Sequence, residues 1–550
     1  MMGSGTGMSY DKNADVLSLA DQSHVTLRDE RGKTTLEFSS GKSTLDRMAH
    51  TLALEGKVHA LRGEQVIDAM QGLARLTEDE QHITDIELRG DSRVIGGGSG
   101  VDSMSARDMN LHYGADGESL EHAQLIGSGA VAMTGQNGAA GRQFLGDTLD
   151  IGLAPAGSVT KVVGRDNVRL GLPAAADSPA RSIKARAIDA DGVPGQGLTA
   201  ARFMDNVEYQ EESGKSSSAR TARSKTLNIE LTNDAISSAV FGGAVKFEEQ
   251  GLQAASGEAR YDPAKGSLRL TGVESGALPR VADDQVTIDA ATIDVTLEGR
   301  LMKAMGGVKT MLRARGPASS QTATQGNRLP GLLKQDQPAN VNADALDYQG
   351  ASGQAIYAGN ATMWQGETAV RADSIAIDQS KGDFLASGNA RSTIVLDTGN
   401  SIAHAAEIRY ADAAHTITYT SMKNAAGAVA GQAQLSGPQG DLRADRIEVI
   451  LAPQASHIDR LEAYTNVTLK LDTRNAAGER LTYFADEDRY VMSGAGTKSV
   501  KVIEACRETT GRTLTFFKAT DRIIVDGNDE TRTQTRNGVS PACNATPRAR

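Results

Sequence analysis

The chain has two thiols, Cys506 and Cys543, and both lie near its C-terminus. Two cysteines are too few for a disulfide scaffold, and they lack the C-x-x-C spacing of a zinc site. They fit either two free thiols in a reducing compartment or one disulfide in an oxidising compartment. The two residues alone do not choose between these alternatives.

The other residues capable of catalysis form no recognisable catalytic motif. The nine histidines are scattered, without H-x-H or H-E-x-x-H spacing. Gly41-Lys42-Ser43 resembles the end of a nucleotide-binding loop, but Leu36 occupies the position of the first glycine that such a loop requires. Carboxylates are plentiful, yet none forms the clear acid pair that a polysaccharide hydrolase or lyase would need. We therefore predict no catalytic residue, no metal site, no cofactor and no enzymatic activity.

Charge and hydropathy exclude several classes of protein. The chain carries 58 basic and 69 acidic residues, a net charge of −11, which argues against a nucleic-acid partner. No run of 18 apolar residues predicts a transmembrane helix. The N-terminus shows neither an export signal nor a membrane anchor, and we expect that the chain lacks its true beginning. With only 4% aromatic residues, the core must consist largely of Val, Ile, Leu and Ala.

A six-residue phrase recurs along the chain. Ala343-Asp344-Ala345-Leu346-Asp347-Tyr348 returns 29 residues later as Ala372-Asp373-Ser374-Ile375-Ala376-Ile377. Looser copies begin at residues 405, 444, 478 and 511 in the second half and at 106, 146, 224, 256 and 290 in the first. Alternating apolar and polar residues are typical of half-buried strands, and Gly-, Asp- and Asn-rich turns follow each copy. The pattern predicts an all-β fold of short antiparallel strands with almost no helix.

Changes in composition suggest the domain boundaries. Residues 314–339 are small, polar and non-periodic, and we interpret them as a linker. The linker would separate a region at 1–313 from a domain at 340–535, followed by a C-terminal tail at 536–550. A second, weaker break lies near 173–180.

The repeated series resembles the OstA-like domain of the periplasmic lipopolysaccharide-transport proteins LptA and LptC. The resemblance rests on the phrases at 343–348 and 372–377 and on the Gly-Asn-Ala that follows each of them. Residues 444–449, 461–467 and 478–483 extend it, so that it covers 340–530. The region 1–312 is similar more diffusely and looks LptC-like or like a divergent array of the same units. Two halves in one chain, without an anchor, differ from simple members of the family.

This resemblance implies tandem open β-jellyrolls, or β-tacos, in a periplasmic protein. Such a protein would be a non-enzymatic bridge that shields the acyl chains of lipid A during lipopolysaccharide transport to the outer membrane. Its partners would be other Lpt components, joined by edge-strand addition, and an inner-membrane ABC transporter. The apolar slots of the phrase would face the groove: Leu346, Tyr348, Ile375, Ile377, Ile408, Tyr410, Ile447, Val449, Leu481 and Tyr483. The alternative is a closed β-solenoid of structural or adhesin type, in which these slots are simply core.

A periplasmic location would make a disulfide between Cys506 and Cys543 the expected state. Closing a loop of this size should stabilise the protein by about 3–4 kcal/mol in the chain-entropy model. Thiol titration of the denatured, unreduced protein should then find no free thiol. Two titratable thiols per chain would exclude the disulfide.

Overall fold

The computed structural model describes residues 2–28, 34–96, 100–135, 141–174, 178–214, 218–232, 235–313, 328–423, 429–453, 457–504, 507–527 and 532–537. The chain divides into two compact units, Met1–Ala277 and Leu278–Arg550. Cys506 and Cys543 both lie outside the described residues, so the disulfide stays a prediction.

Antiparallel strands make up the first unit. Their bounds are β1 Met2–Asp11, β2 Val16–Arg28, β3 Thr34–Ser40, β4 Lys42–Asp46, β5 Thr51–Arg62, β6 Gln65–Leu76, β7 Ile83–Ile95, β8 Val101–Tyr113, β9 Leu120–Met133, β10 Gln143–Leu153, β11 Val159–Leu172, β12 Arg181–Val193, β13 Gly197–Glu211, β14 Arg220–Thr232, β15 Ala235–Glu249, β16 Leu252–Asp262 and β17 Ser267–Thr271. From β5 to β17, each strand pairs with the next one along the chain.

The second unit is built in the same way. Its strands are β18 Arg280–Ala282, β19 Val286–Asp289, β20 Thr292–Thr296, β21 Leu301–Leu312, β22 Ala339–Gln349, β23 Gln354–Gln365, β24 Thr368–Asp378, β25 Asp383–Leu396, β26 Gly399–Ala411, β27 Thr416–Thr420, β28 Met422–Lys423, β29 Val429–Gly431, β30 Ala433–Gly437, β31 Gly440–Ala444, β32 Arg446–Leu451, β33 Ile458–Leu471, β34 Arg474–Phe484, β35 Arg489–Ser493, β36 Val500–Glu504, β37 Arg507–Gly511, β38 Thr513–Phe517, β39 Arg522–Asp526 and β40 Gln534–Asn537. Two 3-10 turns, Glu298–Arg300 and Asp412–Ala414, are the only helical elements among the described residues. The predicted all-β class is therefore confirmed.

Many strands are longer than the six-residue phrase because they continue through a central bulge. In ten of the described strands, two successive residues have positive φ. They are Gly56-Lys57, Gly90-Asp91, Gly127-Ser128, Asp166-Asn167, Asp205-Asn206, Gly243-Ala244, Gly306-Gly307, Gly359-Asn360, Gly388-Asn389 and Thr465-Asn466. The pairing register shifts at these positions, for example between Ala358 and Ala361 of β23. Gly and Asn are common here because they tolerate the left-handed conformation best. A bulge of this kind bends its strand sharply.

An aspartate from the neighbouring strand lies against several of these bulges. The Nδ2 of Asn360 donates to Asp344 at 3.4 Å, and the Nδ2 of Asn389 donates to Asp373 at 3.4 Å. Equivalent bonds join Asn466 to Asp445 at 3.1 Å and Asn167 to Asp147 at 2.7 Å. Each of these aspartates is the second residue of the recurring phrase. Its side chain therefore ties the bend of one strand to the strand beside it.

Bending divides each unit into two facing layers. In the second unit we call the layer that contains the recurring phrase layer one, and the opposite layer two. Strand β26 spans both, since its residues 407–411 pair with β27 and its residues 402–404 pair with β30. In the first unit, Tyr209 and Phe241 lie on opposite sides of their strands' bulges, yet their rings meet edge to face with centroids 5.7 Å apart. The inner faces of the two layers thus pack directly on each other.

Tyrosines are the largest side chains that are fully buried between the layers. They are Tyr209, Tyr261, Tyr348, Tyr357, Tyr410, Tyr419 and Tyr490. The few aromatic residues of the chain are thus concentrated in its core. Tyr419 of layer one reaches across to Ser392 of layer two, with 3.4 Å between the two hydroxyl oxygens. Burial of this side chain raises the pKa of Tyr419 to about 12.

Near the predicted boundaries, the described residues include paired strand ends and two buried leucines. Pro173–Pro179 connects β11 to β12, whose ends remain paired through Leu172 and Arg181. Of the predicted linker, residues 314–327 lie outside the described residues, whereas Leu329 and Leu333 are buried in the second unit. In the sequence, the boundary between the two compact units falls between Ala277 and Leu278. The functional division into 1–313, 340–535 and a tail stays a prediction.

Substituting Gly388 tests the bulge. At φ +81°, an added Cβ would lie 2.8 Å from the Cβ of Asp373, and the left-handed backbone alone costs about 1–2 kcal/mol. Gly366→Ala is the matched control, because Gly366 has φ +57° with nothing within 4 Å. We expect Gly388→Ala to lower the free energy of unfolding by about 1–3 kcal/mol more than the control, measured by urea unfolding. Equal losses would contradict a crowded bulge.

Alkaline pH tests the buried Tyr419. An unfolded tyrosine loses its proton near pH 10, whereas the folded side chain holds it to about 12. The unfolded state therefore binds fewer protons between these values, and the free energy of unfolding should fall by about 1.4 kcal/mol per pH unit from this residue. Tyr419→Phe should show a shallower loss between pH 10 and 12 than the unmodified protein. Identical slopes in pH-dependent urea unfolding would exclude this contribution.

Candidate functional site

The ten apolar slots predicted from the phrase lie on one inner face of layer one. Each is 8% exposed or less, and Tyr483 is the most exposed of them. Their outward neighbours are polar: the Oδ2 of Asp347 lies 3.4 Å from the Nζ of Lys303, and both side chains are exposed. The alternation of the phrase thus separates an apolar interior from a charged exterior.

Strand register joins these slots into two continuous ladders. One ladder runs through Leu346, Tyr357, Ile375, Ala386, Ile408, Tyr419, Ile447, Ala463, Leu481, Met492 and Leu514. The second ladder runs through Tyr348, Ala355, Ile377, Phe384, Tyr410, Ile417, Val449, Leu461, Tyr483, Tyr490 and Phe516. The phrase supplies every second member of each ladder. The remaining members come from the return strands, which have the same alternation but no conspicuous motif.

Layer two contributes a facing row of smaller side chains. Val341, Met363, Val370, Ala403, Leu435, Leu442, Leu469 and Val502 are all buried. Together with the two ladders they form an apolar interior that extends through the second unit. In this structure the interior is filled by these side chains themselves.

The free ends of the two layers meet along a line that we call the mouth. Tyr490 of layer one donates its hydroxyl to the carbonyl oxygen of Gln439 of layer two at 3.0 Å. Arg474 of layer two makes an ion pair with Asp521 of layer one. Arg300 and Asp283 make a third cross-mouth pair, with 3.5 Å between Nη1 and Oδ2. Polar contacts, rather than backbone ladders, therefore hold the mouth closed.

The first unit closes its own mouth with a charged row that the sequence did not reveal. Arg181, Glu211, Arg220 and Glu249 are successive partners on β12 to β15. Glu211 lies 2.8 Å from the Nε of Arg181 and 3.0 Å from the Nη1 of Arg220, and its side chain is only 1% exposed. The hydroxyl of Tyr261 contacts Arg220 and Glu211 from the opposite layer. In sequence, these residues look like ordinary polar positions at the ends of strands.

The charges in this row satisfy one another. Burial would lower the pKa of Arg220, but Tyr261, Glu249 and Glu211 raise it above its ordinary value. Burial raises the pKa of Tyr261, and the charge of Glu211 adds to that rise. The row therefore consists of two arginines and two glutamates joined by ion pairs along the ends of four strands.

Elsewhere the titratable side chains also lie in structural positions. His59, His112 and His122 are each within 2.8 Å of an aspartate oxygen on a neighbouring strand, and His59 and His112 are exposed while His122 is partly buried. No group of three or more potential metal ligands occurs among the described residues. In the interior, burial raises the pKa of both Tyr348 and Tyr483 to about 12. These tyrosines are uncharged at neutral pH, and the ladders carry no charge.

The first strand of the chain offers an exposed edge. All described residues of β1 are exposed, and among the described pairings β1 is joined only to β2.

In the part of the chain that the structure describes, no helix is long and apolar enough to span a membrane.

Comparison with known proteins supports the resemblance seen in the sequence. Residues 340–439 match the family described as LptA/(LptD N-terminal domain) LPS transport protein. One similar solved structure is LptH, the LptA homologous periplasmic component of the lipopolysaccharide transport device of Pseudomonas aeruginosa. It is 12% identical, covers 36% of this chain and 94% of its own, and has a TM-score of 0.10. No curated protein sequence matches the chain significantly. Residues 340–439, which contain the recurring phrases at 343–348 and 372–377, therefore match the family of LptA and LptD N-terminal domains, in agreement with the resemblance to OstA-like lipopolysaccharide-transport proteins predicted from the sequence.

Proposed function

We propose that this protein is a non-enzymatic carrier in lipopolysaccharide transport, which shields the acyl chains of lipid A in the apolar interior. The observation that carries the proposal is the continuity of the two ladders. They pass through the family-matched segment 340–439 and continue without a break to β38. Each ladder crosses eleven strands that are neighbours in the sheet. At about 4.8 Å per strand, the apolar interior is roughly 50 Å long, which is enough for a row of acyl chains.

The chemical character of the interior supports lipid transport rather than enzymatic catalysis. The ladders present aliphatic and aromatic side chains, whose burial against a lipid contributes about 25 cal/mol per Å² of apolar surface. A charged group in this interior would face acyl chains unpaired, which is costly. The ion pairs of the described residues named above lie on the outer faces and at the mouths, outside the two ladders.

The first unit supports a role as a longer bridge. It repeats the same device of bulged strands around an apolar interior, with Leu149, Ile151, Phe203 and Phe241 all fully buried. A periplasmic location and partners among the Lpt components, including an inner-membrane ABC transporter, belong to the same proposal. The exposed edge of β1 is suited to edge-strand addition, since its backbone groups have no partner on that side in the described pairings.

The closed structural or adhesin-type β-solenoid remains the second candidate, and one observation favours it. All ten slots are closed to water in this structure, as the core of such a protein would be. Against it, the described pairings are antiparallel, for example β23 with β24 and β25 with β26, whereas a parallel β-helix stacks parallel strands.

Site-specific photo-crosslinking separates the two candidates. Ile377 points inward at 2% exposure, and its neighbour Ala376 faces outward on the same strand. A photoreactive amino acid at position 377 should form an adduct with lipopolysaccharide, while the same group at 376 should not. Thermal melts of both variants confirm that each is folded. Equal labelling at both positions, or none at 377 in a folded protein, would contradict an interior lipid site.

Introducing a charged side chain gives a second test of lipid binding in the apolar interior. Ile377→Asp and Ile447→Asp should weaken lipopolysaccharide binding, whereas Asp347→Ala on the outer face should leave it unchanged. Binding and melting temperature are measured together. If binding and folding are lost together, the slots act as a closed core and the solenoid candidate gains. Unchanged binding by a folded Ile377→Asp protein would show that lipid binds elsewhere.

A further inference from the structure

A short segment, Arg328 to Pro338, crosses the mouth of the second unit, and we call it the strap. It has no strand structure. Yet two of its side chains are as buried as the core, with Leu329 at 0% and Leu333 at 5% exposure. In sequence, these residues look like part of a linker, because their composition is small, polar and non-periodic.

One end of the strap is anchored to layer one. The backbone N–H of Arg328 donates to the carbonyl oxygen of Gln379 at 3.0 Å. Its guanidinium lies 2.9 Å from the carboxylate of Asp412 and donates to the carbonyl oxygen of Lys381 at 2.5 Å. Gly331 passes so close to Asp412 and the hydroxyl of Tyr410 that a side chain there would overlap them.

The other end of the strap is anchored to layer two through one side chain. Gln365, the last residue of β23, accepts a hydrogen bond from the backbone N–H of Lys334 at 2.7 Å. Its amide nitrogen donates to the carbonyl oxygens of Lys334 and Gln337, each at 2.9 Å. Gln365 lies at the turn of the hairpin formed by β23 and β24, and Gln379 directly follows the opposite, open end of this hairpin.

Chain lengths show that the strap bridges the mouth. A straight β24 would hold the regions of Gln365 and Gln379 roughly 35 Å apart. The seven strap residues from Arg328 to Lys334 are separated by six steps along the chain and can span at most about 20 Å. Because the strap is hydrogen-bonded to both Gln379 and Gln365, β24 must bend at its register shift between Arg371 and Ser374. The strap therefore joins the two free ends of the layers, with its leucines turned into the interior between them.

The strap is held by fewer contacts than a strand. Its anchors are a handful of side-chain and backbone hydrogen bonds and one ion pair, in which the Arg328 side chain is 51% exposed. Gln335 bonds within the strap itself, to the carbonyl oxygens of Leu329 and Leu333 at 3.1 Å each. Segments with few buried contacts open more readily than paired strands. The strap can thus leave as a compact turn without disturbing the ladders.

We propose that the strap covers an acyl-chain entry site at the mouth between Gln365 and Asp412, and that Leu329 and Leu333 occupy the place of acyl carbon in the unloaded protein. This inference rests on the proposed function. A lipid tail entering beside Phe384 and Tyr410 would replace two leucines with a similar apolar chain. The polar anchors of the strap would return to water.

The test compares two double variants of the strap. Leu329→Ser with Leu333→Ser removes the buried groups, and Lys334→Ser with Asp336→Ser changes two exposed strap residues as the matched control. The probe is a fatty acid that carries an environment-sensitive fluorophore. A strap that is closed most of the time lowers apparent affinity in proportion, so the leucine variant should bind with about tenfold lower Kd. The control should match the unmodified protein.

Hydrogen exchange on the unmodified protein gives an independent readout. The strap amides of Arg328 and Lys334 donate hydrogen bonds to the two layers in the closed structure and should be protected without lipid. Saturating fatty acid should expose them. If the probe binds but the strap stays protected and the leucine variant binds no more tightly, the strap inference is overturned and the proposed function stands. If the probe binds to neither protein, both are overturned. A leucine variant that does not fold leaves the exchange experiment to decide.

Discussion

The architecture depends on two consecutive left-handed residues in the middle of every second long strand. Without the bulges at pairs such as Gly359-Asn360 and Gly388-Asn389, these strands would form a single flat sheet with one apolar face open to water. The bulge bends the strand, and its neighbour bends with it because hydrogen bonding continues on both sides of the register shift. Two layers, an apolar interior and a mouth all follow from that bend. The backbone strain is offset by the Asn–Asp bonds and by the burial that the bend permits.

The sequence predicted the strands and the inward side of each phrase because period-2 alternation is a local property. Successive side chains of a strand point to opposite faces of the sheet, so Ile375 and Ile377 face inward while Ala376, which lies between them, faces outward. The Gly-Asn pair was visible as well, but a glycine at the end of an apolar run looks the same whether the strand ends there or bends. The Asp at the second slot of the phrase, followed by an Asn 16 residues later, is the signal that separates the two cases.

Contacts across the mouth could not be predicted in this way. Glu211 and Tyr261 are 50 residues apart, and Tyr490 lies 51 residues from Gln439. These pairs meet only after the strands have bent, so their proximity depends on bulge positions in several strands at once. The strap was missed for a related reason. Leu329 and Leu333 are two apolar residues without a strand period, and their burial depends on the mouth that they close.

The placement of bulges in alternate strands constrains how such a protein changes length. A bulged strand and its plain neighbour form one register-matched hairpin, as β23 and β24 do. Deleting one strand would place two bulged or two plain strands side by side, and it would also reverse the direction of all following strands. Insertion or loss of a whole hairpin avoids both problems. Related proteins should therefore differ in interior length by multiples of about 10 Å, the width of two strands, which gives evolution a simple way to match the span between two fixed partners.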